Sequence, residues 1–69
     1  MNEIIFTVKD SPEGGYEAEA LGHSIFTEAD DMEAMKESIR DAIFCHFEDQ
    51  DDRPKIIRLH YVKEEILAA

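Results

Sequence analysis

Four side chains in this chain of 69 residues belong to types that bind soft metals or pair as nucleophile and base: His23, Cys45, His46 and His60. A structural zinc site needs four ligands at characteristic spacings, and these residues do not supply them. Cys45 and His46 are sequence neighbours, so on a helix they point in different directions and cannot chelate one ion together. His46 falls within an apolar stripe and reads as a core histidine bonded to a backbone carbonyl. His60 alternates with Leu59 and Tyr61 on an outer strand face, where solvent or an interface contact explains it. Cys45 has only His46 as a basic neighbour, which is a poor setting for an activated thiolate. The paired acids are surface runs: Asp30-Asp31 suits a helix cap and Asp51-Asp52 suits a loop. Two-metal hydrolysis would need acids converging from strand centres, where the first strand presents Ile4, Phe6 and Val8. The residues therefore predict no catalytic, cofactor-binding or metal site, and a protein that is not an enzyme.

One small-ligand alternative exists. Backbone N–H groups at Gly14-Gly15, together with His23 after Gly22, could meet an anion. Asp10, Glu13 and Glu28 crowd the same turn and would repel it.

The elements that must position these residues form one domain, 1–69, because the length allows no more. A chain of this size buries only about 60% of its unfolded surface, so it is marginal alone. A single cysteine forbids an internal disulfide, which leaves self-association, as a dimer, as the expected remedy. The net charge is −10, and all of it lies in residues 1–49, with 13 acids against 3 bases. Such a front repels phosphate, so direct nucleic-acid binding is not expected. It would attract a basic partner, or simply keep the protein soluble. No charged leader followed by an apolar stretch opens the sequence, and no apolar run approaches the ~20 residues of a membrane span. The lone cysteine suits a reducing compartment, and the cytoplasm is the expected location.

Residues 3–9 alternate, with Ile4, Phe6 and Val8 on one face and Ile5 apolar on the other. Asp10-Ser11-Pro12-Glu13-Gly14-Gly15 is a turn, in which Asp10 can bond its own backbone two residues on. Tyr16, Ala18 and Ala20 face inward in the second strand while Glu17 and Glu19 face water. Gly22 breaks the chain, and residues 24–28 make a third strand. Asp30 reads as an N-cap, with Glu33 at capping-box spacing. Met32, Met35, Ile39, Ala42, Ile43 and His46 then form a helical stripe bordered by Phe47, with the helix ending near Glu48. Pro54 opens a last strand with Ile57, Leu59 and Tyr61 inward and Ile56 and Val62 outward. Residues 63–69 fit either a strand extension or a short helix.

The order predicts an α+β domain, β-β-β-α-β. An antiparallel meander is followed by a crossover helix and a fourth strand parallel to the first, giving strand order 3-2-1-4. Ile5, Ile56 and Val62 then sit on the sheet face that the helix does not cover. Phe44 falls on the solvent side of the helix near Arg40 and Asp41. Together with an open fourth-strand edge, these residues point to an interface.

The motifs Gly14-Gly15-Tyr16, Gly22 and Asp30, in this order and spacing over residues 3–48, resemble the HicB family, the antitoxin half of HicAB pairs. The family has Gly before the cap acid and Thr after it, where this chain has Ala29 and Asp31. The DNA-binding segment that full HicB antitoxins carry is not expected in the few residues after Val62. The resemblance implies a partial RNase H-like fold and a binding module that neutralises a small basic RNA-binding toxin by covering its nucleic-acid face. Glu17 and Glu19, with Glu3, would stand in for phosphates, and Phe44, Ile56 and Val62 complete the expected partner-binding residues. An orphan copy that has lost its toxin, or a self-associating structural domain, fits the same residues.

Overall fold

The computed structural model describes residues 2–69. The elements run β1 (Glu3–Asp10), β2 (Tyr16–Ala20), β3 (Phe26–Ala29), α1 (Met32–His46) and β4 (Ile56–Val62), with one turn of 3-10 helix, Gln50–Asp52, ahead of β4. The sheet order is β3-β2-β1-β4. The first three strands are antiparallel and β4 lies parallel to β1, so the β-β-β-α-β arrangement holds. A parallel neighbour cannot be reached by a tight turn, and α1 supplies the crossover. At its start β4 is tied to β1 by the Lys55 and Ile56 N–H groups, which both donate to the Asn2 carbonyl at 3.1 and 3.0 Å.

Strand alternation sends Ile4, Phe6 and Val8 of β1 and Ala18 and Ala20 of β2 to the helix side, where all are buried. Met35, Ile39 and Ile43 of α1 meet them, and Ile25, just before β3, closes the cluster. Phe6 and Met35 are fully shielded from water and form its centre. The small Ala18 and Ala20 let the helix approach, and α1 packs chiefly over β2 and β3. Ile57 and Leu59 of β4 are consequently only half-buried. Tyr61 shares their side of the sheet, opposite Val8, yet is 58% exposed, so its expected place in the core is corrected. The helix does not reach that far.

Five local readings change. The side-chain oxygen in the β1–β2 turn is Ser11 Oγ, which accepts from the Glu13 N–H at 3.3 Å, not Asp10. The third strand starts at Phe26, two residues later than expected, and includes Ala29. The N-cap of α1 is Asp31, whose backbone is extended and whose carboxylate accepts from the Ala34 N–H at 2.8 Å. Asp30 lies one residue outside, and Glu33 supports the helix dipole rather than closing a capping box. At the other end α1 stops at His46, with Phe47 as C-cap, and residues 63–69 form neither strand nor helix.

The acidic run after the helix is tolerated because Arg53 turns back over it. Its Nε donates to the Phe47 carbonyl at 2.9 Å and an Nη to the Glu48 carbonyl at 3.4 Å. A cation beside the C-terminal end of a helix complements the negative end of its dipole. The same guanidinium lies 4.1 Å above the Phe44 ring, a cation–π contact that gives this exposed aromatic an intramolecular role.

Gly15 adopts φ +78°, and a Cβ there would collide with the Ala29 carbonyl oxygen and approach the Asp30 Cα at 3.0 Å. Gly14 also has positive φ, but a Cβ there would meet nothing within 4 Å. Gly14→Ala is therefore expected to cost about 1–2 kcal/mol, from backbone strain alone. Gly15→Ala should cost at least about 3 kcal/mol, because the added methyl must also displace backbone. Urea unfolding of the two variants checks the difference. In the same assay Asp31→Ala should cost about 1 kcal/mol and Asp30→Ala less than about 0.5, which separates the true cap from its neighbour.

Candidate functional site: the open face of the sheet

Among the described residues no element covers the side of the sheet away from α1. Register places Phe26 beside Glu19 and Glu28 beside Glu17 on β3 and β2. Glu19 and Glu17 in turn sit beside Thr7 and Lys9 of β1. On the far side Glu3, Ile5, Thr7 and Lys9 align with Ile56, Arg58, His60 and Val62 of β4. Of the expected partner-binding residues, Glu17, Glu19, Ile56 and Val62 thus share one surface. Phe44 does not, since it lies on α1 under Arg53. Phe26, 58% exposed, and Glu28 are not among the expected partner-binding residues, although the alternation Phe26/Thr27/Glu28/Ala29 places both outward.

Charge is unevenly neutralised across this face. Arg58 binds Glu3 through two N–H donors, at 2.8 and 3.2 Å. That hydrogen-bonded guanidinium holds the Glu3 carboxyl below its ordinary range; partial desolvation opposes the effect, and the charges of Arg58 and, last, His60 reinforce it. Lys9 Nζ lies 3.3 Å from Glu17. Glu19 and Glu28 have no ion-pair partner among the described residues. The β2–β3 half therefore presents three carboxylates around the exposed Phe26 ring. The β1–β4 half is a mixture of ion pairs and short apolar side chains.

The histidines fall elsewhere. His46 is exposed rather than buried in the core, which corrects the expectation. Its position lies in the last turn of α1, beyond the part of the helix that covers the sheet. It stacks edge-on against Phe47 and His23, with ring centroids 4.9 and 5.8 Å apart. His23 also meets Phe47 edge-on at 5.4 Å, so it serves in turn packing at the C-terminal end of α1. The Gly14 turn lies at the opposite end of β2, in a groove lined by Ser11, Glu13, Tyr16, Glu28 and Asp30. A joint anion site of the Gly14-Gly15 turn and His23 is therefore not assembled. Among the described residues no three His, Cys, Asp or Glu side chains group as a metal site would require. No described helix is long and apolar enough to cross a membrane.

These features define a small α+β domain whose sheet offers one uncovered, partly acidic face. The chain is 51% identical over 53 residues to a UPF0150 protein of Archaeoglobus fulgidus, a match covering 77% of each chain. It is 38% identical over 66 residues to a UPF0150 protein of Thermotoga maritima, covering 96% of this chain and 91% of the relative. It belongs to the UPF0150 family. No family model matches the chain, and no solved structure matches it.

A carboxyl held below its ordinary range in the folded state stabilises the fold at pH above its unfolded value. That contribution is lost as the pH falls through the lower folded value. An NMR titration should place the Glu3 midpoint below 4.5, and Arg58→Gln should move it back toward 4.5. The acid limb of the stability curve should lose this component in Arg58→Gln.

Proposed function

We propose that the chain is a HicB-like protein-binding module that captures a small basic, RNA-binding partner on the open face of its sheet. The observation that carries this reading is the cluster of Glu17, Glu19 and Glu28 around Phe26. Two of its three carboxylates lack an ion-pair partner among the described residues. Carboxylates spaced along neighbouring strands offer a basic surface the same charges that a phosphate backbone would, and long-range attraction speeds the encounter. An exposed aromatic between them suits an arginine, whose guanidinium stacks on a ring face while pairing with an acid. The likeness of Gly14-Gly15-Tyr16, Gly22 and Asp30 to HicB antitoxins supports a HicA-like toxin as that partner. The role is binding without catalysis, in a reducing cytoplasm where the exposed Cys45 stays free.

The reading expects a neighbouring reading frame that encodes a basic HicA-like chain, and a pull-down with that chain at low salt should recover a complex. Glu17→Lys with Glu19→Lys should weaken it at least tenfold, as measured by calorimetry, because desolvated charge pairs at interfaces couple strongly. Glu37→Lys on the exposed side of α1 should leave it unchanged. Recovery of no basic partner, or indifference to the strand charges, would overturn the reading.

A further inference from the structure

The helix side of the sheet carries a second uncovered feature. Because α1 lies over β2 and β3, a groove of about 280 Å³ remains between α1 and β4, lined by Lys36, Ile39, Arg40, Ile57 and Leu59. Its floor is apolar and its rim is cationic. Lys36 and Arg40 have no ion-pair partner among the described residues, and they are two of the three basic residues in the acidic first 49 positions. Along this groove β4 is the outermost strand of the sheet, so seven residues present a free hydrogen-bonding edge. An edge of that length invites a further strand.

The sequence contains a segment of complementary chemistry. Residues 63–69, Lys-Glu-Glu-Ile-Leu-Ala-Ala, leave β4 without secondary structure. Ile66 and Leu67 are 97% and 86% exposed, the most exposed large apolar side chains among the described residues. Seven extended residues reach ~23 Å, which accounts for a molecule 51 Å long but only 20 and 18 Å across. The segment is exposed at every residue and is long enough to reach a neighbour's groove.

We propose that two copies of the chain associate by exchanging this segment. Residues 64–68 of each would add as a fifth strand to the free edge of β4 in the other. Strand alternation then sorts the side chains. Glu64 and Ile66 face the groove, where Lys36 and Arg40 meet the acid and Ile57 and Leu59 meet the apolar side chain. Glu65 and Leu67 face the other side, toward Arg58 and Ile56. Both faces match in charge and in polarity. The interface lies at the β4 edge and the helix side, so it leaves the Glu17, Glu19 and Phe26 cluster free and does not depend on the proposed function.

Two charge-reversed variants of the full chain test the exchange. One carries Lys36→Glu and Arg40→Glu, the other Glu64→Lys; all three positions are exposed, and circular dichroism verifies that both fold. Light scattering after size exclusion should show a dimer for the wild type. Each variant alone should show a dimer dissociation constant raised at least about tenfold, since every interface gains several like-charge contacts. Mixing the two should restore the dimer, because each acidic segment then finds a basic groove and each basic segment an acidic one. A monomeric wild type would overturn the proposal and assign the segment to its own groove or to solvent. Variants that remain dimeric alone would place the interface elsewhere, and so would a mixture that fails to reassociate.

Discussion

The width of a single helix governs the exposed surfaces of this protein. An α-helix with its side chains is about 10–12 Å across, whereas strands lie about 4.8 Å apart, so one helix covers little more than two strands. The sheet here has four strands. Ala18 and Ala20 draw α1 onto β2, and the short connection from β3 through the Asp31 cap fixes its other edge over β3. Burial is therefore complete at Phe6, Val8 and Met35, and it falls away toward β4. The half-covered Ile57 and Leu59, the exposed Tyr61 and the groove beside Lys36 and Arg40 all follow from that placement.

Around this constraint the ends of the helix are secured by different means. Asp31 satisfies an N-terminal N–H through its carboxylate, a local device that needs only neighbouring residues. At the C-terminal end Arg53 reaches back six positions to the Phe47 carbonyl while stacking on Phe44. That arrangement offsets the acids from Glu48 to Asp52, which would otherwise oppose the helix dipole. It also orients the chain for the parallel return of β4, linking helix termination to sheet closure.

The two uncovered surfaces differ in character because their charges are paired differently. On the open face Lys9 and Arg58 neutralise Glu17 and Glu3, and the free carboxylates gather near Phe26. On the helix side the free charges are cationic and border apolar side chains. A chain with ten excess negative charges thus keeps a small basic strip at the edge of its sheet. The chain shares the UPF0150 family with proteins from an archaeal and a bacterial source.

Much of the architecture was legible in residue order. Alternation in β1 and β2, the Gly14-Gly15 turn and the Met35–Ile39–Ile43 stripe are local patterns, and local patterns specify strands, turns and helix faces directly. They also yielded the 3-2-1-4 sheet order, since a crossover helix between parallel strands has one favoured hand. The outward positions of Glu17, Glu19, Ile56 and Val62 followed from the same alternation. What remained depended on where rigid elements come to rest against one another. Periodicity assigned His46 and Tyr61 to inward faces, but only the position of α1 over β2 and β3 decided that both face water. The choice between Asp30 and Asp31 as cap rested on one residue of β3 length. The pairing of Arg53 with Phe44, and the meeting of Lys36 and Arg40 with Ile57 and Leu59, join residues far apart in the chain. Sequence spacing carries the period of each element, whereas contacts between elements depend on how far a single helix can extend across a sheet wider than itself.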